Sequence, residues 1–190
     1  MTQDETNIEK NELKLFNSKM KQLKVGIFGS EKPSIFTQIL FYYGTLISFI
    51  FGLWSVISLA ILKFPNYIKQ HKNVDVEAII ELRGRELGFI NESFYANLEN
   101  FHLYSCFIWL ICFIFFFLLW RKIYWASYVI VGSILVYYTL MLVILGSTYY
   151  VEDTTIFDKT TLLLLFVATI VHALIYRTPE KSTNPAKTEN

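Results

Sequence analysis

Four long apolar runs dominate the chain, and shorter stretches that alternate polar and apolar at helical spacing lie around them. The runs extend from Ile35 to Leu62, between Pro33 and Pro65, then from Leu103 to Trp120, from Ile123 to Gly146 and from Thr160 to Tyr176. Runs this long and this poor in charge match the roughly 20 residues that cross the hydrocarbon of a bilayer. The pattern predicts an all-α integral membrane protein with four transmembrane helices and both termini on the same side. No proline lies inside a run. Each span is therefore expected to be unbroken, unlike the interrupted helices of many transporters.

Residues 63–102 form an outer polar loop with a period of its own. Val76, Ile80, Leu87, Ile90, Phe94 and Leu98 follow helical steps, with Arg83 where one apolar residue is missing. Such spacing predicts amphipathic helix with an outer docking face, to be covered by the outer leaflet or a partner. Gly84 and Gly88 weaken its middle, so two helices meeting near Gly88–Asn91 are expected, with Asn91 capping the second as it runs into the second span. Asn91–Glu92–Ser93 also fits a glycosylation acceptor.

Before the first span, residues 1–32 carry Ile8, Leu15, Phe16, Met20, Leu23 and Ile27 at helical spacing, behind a capping box at Thr6–Glu9. Lys14, Lys19, Lys21 and Lys24 lie toward the end of this amphipathic segment and form a basic face expected to rest on anionic headgroups. No cleavable leader pattern precedes the first span, which is expected to double as the targeting signal. Residues 178–190 are polar and punctuated by proline, and disorder is expected there.

Charge sets the orientation. Lys32, Arg121, Lys122, Arg177, Lys181 and Lys187 join the N-terminal lysines on one side, whereas basic residues on the other side are diluted by acids. The positive-inside rule places both tails and the turn between spans two and three in the cytoplasm, or in the matrix of a mitochondrion. The sequence does not distinguish an inner mitochondrial membrane from a plasma or bacterial inner membrane. Trp120, Tyr124, Trp125 and Tyr176 mark the inner interface, and Tyr67, Tyr104, Tyr149 and Tyr150 mark the outer one.

Composition narrows the function classes. Of 190 residues, 54% are hydrophobic and only 17% charged, against about 25% charged in an ordinary soluble domain. A net charge of +1 gives nucleic acid no basic face to bind. Cys106 and Cys112 lie six residues apart on one helix, about 9 Å along its axis, and cannot pair with each other.

Candidate chemistry is sparse. The interiors of the first three spans hold no Asp, Glu, Lys or Arg, and the fourth holds only His172, which weakens ion-coupled transport. His172 lies near the inner surface and His102 near the outer one, so they cannot share a metal or a haem, and no cofactor is expected. In the first span Gly44, Ser48, Gly52 and Ser55 form a small-residue stripe that lets another helix approach closely. That partner helix belongs either to this chain or to another.

Ile39–Gly52 together with Lys63–Gln70, "ILFYYGTLISFIFG" and "KFPNYIKQ", resembles the single span and following stretch of P-type sodium/potassium pump β subunits. Four spans in place of one, and no large ectodomain with paired cysteines, depart from that family. The four-span layout is similar to that of claudins and tetraspanins, but their outer cysteine motifs are missing from residues 63–102.

The expectation is a non-catalytic accessory or scaffolding subunit of a larger membrane complex, such as a respiratory or ATP synthase-type assembly. Its partners would be other membrane subunits and lipids, with no nucleic acid and no soluble small-molecule substrate. The alternative is a small channel or carrier with a path lined by carbonyls and by Tyr42, Tyr43, Tyr137, Tyr138, Thr139 and His172. A lipid-modifying enzyme is a weaker third, because no acid–base or metal cluster is visible.

Overall fold

A computed structural model describes residues 16, 18–22, 25–26, 32–90 and 93–176. The described residues are mostly helical, without strands, and four helices are long and apolar enough to span a membrane. This is an all-α membrane protein. Its helices are α1 (Ile35–Lys63), α2 (Pro65–Lys72), α3 (Val76–Glu86), α4 (Phe94–Trp120), α5 (Ala126–Leu140), α6 (Gly146–Glu152) and α7 (Ile156–Ile175). The capping box, the glycosylation-like Asn91, Lys14, Lys24 and the tail after Tyr176 lie outside the described residues. Lys19 and Lys21 are helical and exposed.

The spans run alternately up and down. α1 packs most extensively on α4, α4 on α5, and α5 on α7, while α7 returns to α1 through a smaller contact. Ser34 and Tyr176, at the two ends of the described bundle, are hydrogen-bonded, so the chain enters and leaves on one side. Trp109, Cys112, Phe116, Leu119, Ile130 and Leu165 fill the centre and are fully buried. Outside lies an apolar belt that includes Ile39, Leu46, Phe49, Val143 and Leu164, the surface expected of a bundle that faces acyl chains.

Local chemistry sets most helix starts. The Ser34, Asp75, Ser93 and Thr155 side chains each accept a backbone N–H three residues on, satisfying a donor that the first turn would otherwise leave unpaired. The cap of α4 is thus Ser93, two residues beyond the expected Asn91. α3 ends at Glu86, and Gly88 adopts a φ of 98°, a left-handed turn that suits glycine. The outer loop therefore breaks at the expected place. α4 begins well before the apolar run and reaches about 40 Å at 1.5 Å per residue, so its first turns stand clear of the roughly 30 Å hydrocarbon.

The third span departs from expectation. Its helix does not stop at Gly146 but continues to Glu152, and it is not regular: Met141–Leu145 form a π turn and Gly146 has a φ of 78°. The expectation of unbroken spans fails here because a glycine, without any proline, supplies the backbone freedom. The connection between α4 and α5 is also longer than expected. α5 starts only at Ala126, and Lys122 turns the corner in a left-handed conformation with a φ of 62°.

Candidate functional site

The small-residue stripe is spent inside the chain. Gly44, Ser48 and Ser55 are buried, and α4 is the helix they meet. A Cβ on Gly44 would fall within the Phe116 ring, whereas one on Gly52 would find Trp109 Cβ at 3.5 Å, an ordinary contact. Only Gly44 is thus required to be glycine by its neighbour. Ser55 Oγ donates to the Phe51 carbonyl at 2.8 Å.

The outer face is likewise claimed by the protein's own helices. Leu87 and Phe94 are buried, Ile80 and Leu98 pack on the core, Val76 is half-buried, and only Ile90 stands free at 83% exposure. Gly84 of α3 lies directly on Phe94, where a Cβ would collide with that side chain. The set assigned to external docking is thereby corrected for all but Ile90, since α3 and the first turns of α4 pack on each other. Polar contacts fasten the same module. Glu81 accepts from Ser93 Oγ at 2.5 Å and from the Tyr95 and Phe94 amides at 3.1 and 3.3 Å. The Ser93 hydroxyl and these amides hold its carboxyl below the usual carboxylate range. Arg83, the apparent gap in the apolar pattern, bonds Glu86 at 2.7 Å, Glu152 at 3.1 Å and Asp153 at 2.6 Å. It ties α3 to the outer end of the third span.

At the inner end, His172 on α7 is fully buried and sits between two spans. Its Nδ1 lies 2.8 Å from Ser127 Oγ of α5 and its Nε2 lies 2.9 Å from Thr37 Oγ1 of α1. Ser127 Oγ donates to the Tyr124 carbonyl at 3.0 Å, so its remaining capacity is to accept, and Nδ1 carries the proton. Nε2 then accepts from Thr37, Thr37 accepts from Ser34 at 2.9 Å, and Ser34 accepts from the Tyr176 hydroxyl. Every donor finds one acceptor. Tyr124 and Tyr176 close the cluster as stacked rings, with centroids 4.5 Å apart.

At the outer end, a cavity of about 400 Å³ lies between α1, α4, the interrupted third span and α7. Its walls include Phe51, Trp54, His102, Tyr137, Met141 and Tyr149, and Asp153 and Asp158 stand at its rim. The interruption builds this wall. On an unbroken helix Tyr149 would point about 120° away from Tyr137, twelve residues earlier, at about 100° per residue. With the π turn and the Gly146 break between them, both tyrosines line the one cavity. One lining group, the buried His102, has no hydrogen-bond partner for its Nδ1 among the described residues. Trp109 packs on Phe51 and on Tyr137, each at 5.1 Å.

The proposed channel lining does not converge. Tyr42 is 62% exposed and Thr139 is also exposed, its hydroxyl bonded to Leu135 O. The Tyr43 hydroxyl is used on Thr161 O at 3.3 Å, and Tyr138 lines a separate groove beside Lys159. Of the six residues only Tyr137 reaches the cavity. Cys106 and Cys112 are free thiols. Among the described residues, no three His, Cys, Asp or Glu side chains gather as a metal set. Sequence pattern could not have found the cavity, because four helices contribute to it and none carries a motif. Comparison with family models, with curated proteins and with solved structures yields no match for this chain.

Proposed function

We propose that this chain is a non-catalytic accessory subunit of a larger membrane assembly, and that it holds a small outer helical module in fixed orientation for a neighbouring subunit. One observation carries the proposal. α3 is locked to the bundle by Gly84, Leu87, Glu81 and Arg83, while Ile79 and Leu82 on its other side are 58% and 59% exposed. A rigid mount bearing an apolar pair among charged residues has the form of a docking edge. The use made of His172 adds support. The histidine best placed for acid–base chemistry within a span has both nitrogens engaged in holding helices together. With the tails on the cytoplasmic or matrix side, the docking edge faces the opposite compartment.

Extraction from native membranes in mild detergent, followed by cross-linking mass spectrometry, tests the proposal. The chain is expected to migrate in a larger assembly, with cross-links from Glu77 and Lys72 to a second protein. Migration as a lone monomer or as a simple homo-oligomer would overturn it.

A small carrier is the second reading, favoured by the interrupted third span beside the cavity, since broken helices and π turns recur where membrane proteins handle ligands. Flux through vesicles reconstituted with the pure chain would support it, and vesicles that remain tight would remove it.

A further inference from the structure

We propose that the outer cavity is a binding site for an amphiphile with an ammonium headgroup and one apolar chain, entering sideways from the membrane between α1 and α7. This goes beyond the subunit role and stands whether or not the chain joins an assembly.

The entrance follows from how α1 and α7 meet. Their hydrogen bonds, Ser34 to Tyr176, Thr37 to His172 and Tyr43 to Thr161, all lie on the inner side of the cavity. Further out the two helices flank it, and the lining residues Trp54 of α1 and Phe157 of α7 are 63% and 68% exposed. An opening walled by exposed apolar side chains of two spans admits molecules from the acyl-chain region. The volume, about 400 Å³, falls within the roughly 300–1,000 Å³ that accepts one small ligand.

The headgroup chemistry follows from the rim. Asp153 shares Arg83 with Glu86 and Glu152, so one guanidinium serves three carboxylates. Asp158 accepts from Thr155 Oγ1 at 2.7 Å and has no ion pair among the described residues. Lys159 is turned to the Val151 carbonyl at 2.9 Å and lies over the Tyr150 ring. Arg83 and Lys159 thus stand against Glu86, Glu152, Asp153 and Asp158, and the outer end is left with surplus negative charge near the lining rings of Trp54, Tyr149 and Phe157. Carboxylate together with aromatic faces is the combination that holds alkylammonium groups. An anionic head would meet repulsion at the same place.

A photoreactive alkyl-trimethylammonium probe, with a diazirine in its chain, tests this on the full-length protein in maltoside micelles, with adduct sites mapped by mass spectrometry. Labelling is expected to concentrate on α1 near Trp54 and on α7 near Phe157. Excess dodecyltrimethylammonium should compete, and excess dodecanol should not. Asp158→Asn, which leaves the Thr155 cap of α7 in place and keeps an oxygen able to accept from Thr155 Oγ1, is expected to cut labelling about five- to tenfold. Ser55→Phe, which fills the cavity and leaves the acids in place, should abolish it, with gel filtration confirming that each variant folds. Equal competition by dodecanol, labelling spread evenly onto the lipid-facing Val143 and Leu164, or an unchanged Asp158→Asn would each overturn the proposal. Analysis of co-purified lipid identifies the source. Enrichment of ammonium-headed lipid points to the membrane itself, and its absence with competition intact points to a free amphiphile.

Discussion

His172 and Thr37, 135 residues apart, meet at 2.9 Å between Nε2 and Oγ1 and close the last span onto the first. The same ring reaches Ser127 of α5, so one side chain joins three of the four spans. Replacing His172 with Leu takes the acceptor from the buried Thr37 hydroxyl and the donor from Ser127 Oγ, which keep only Ser34 Oγ and the Tyr124 carbonyl as partners. Loss of about 1–3 kcal/mol is expected, read as a lower midpoint of thermal unfolding in detergent. Adding Ser127→Ala to His172→Leu should cost less than the sum of the two single changes, since both act on one bond.

Gly44 and Gly52 occupy equivalent places on the α1 stripe and should respond differently. Gly44→Ala drives a methyl into the Phe116 ring and is expected to destabilise by about 1–3 kcal/mol. Combining it with Phe116→Leu should restore part of the loss. Gly52→Ala, with its nearest neighbour at 3.5 Å, should be neutral or slightly stabilising in the same unfolding assay.

Gly84 is the pivot of the outer module. Gly84→Ala presses against Phe94 and should lift α3 away from α4 without disturbing the spans. Hydrogen exchange in α3 is expected to speed up about tenfold or more while the bundle core keeps its protection. Unchanged exchange in α3 would show that the module is not held by this contact.

The same junction should weaken in acid. The folded-state pKa of Glu81 is lowered, chiefly by the Ser93 hydroxyl and then by the Tyr95 and Phe94 amides. Its stabilisation is therefore complete above the ordinary glutamate pKa of 4.5, and is lost as pH falls below that through the lowered folded value. Amide exchange at Phe94 and Tyr95, corrected for the intrinsic pH dependence, should rise over that acidic window. Glu81→Gln should bring the weakening to neutral pH and flatten the response.

Much of the architecture was legible because hydropathy and length suffice to mark spans, and because Gly88 breaks the outer helix locally. What was not legible involves partners distant in sequence. The period of Val76, Ile80, Leu87 and Phe94 was correct, but a single helix pattern does not say which surface will cover it. Gly84 gave the nearest clue, since glycine on an apolar face permits close approach. The hydroxyls of Thr37 and Ser127 looked like ordinary span residues, and only the fold brings them to His172. Gly146 read as the end of a run, because apolar content falls there while the helix, shifted in phase, continues.

The burial of the α1 stripe against α4 has a consequence for the order of synthesis. Of the four described spans α1 is made first, yet the helix that covers Gly44 and Ser48 emerges only after residues 64–93 have been made. During that interval the nascent chain displays an unfilled groove to the insertion machinery, and α7, whose His172 fastens the inner end, arrives last. A ribosome paused before α4 would expose the groove, and one paused before α7 would leave three spans assembled but unlatched.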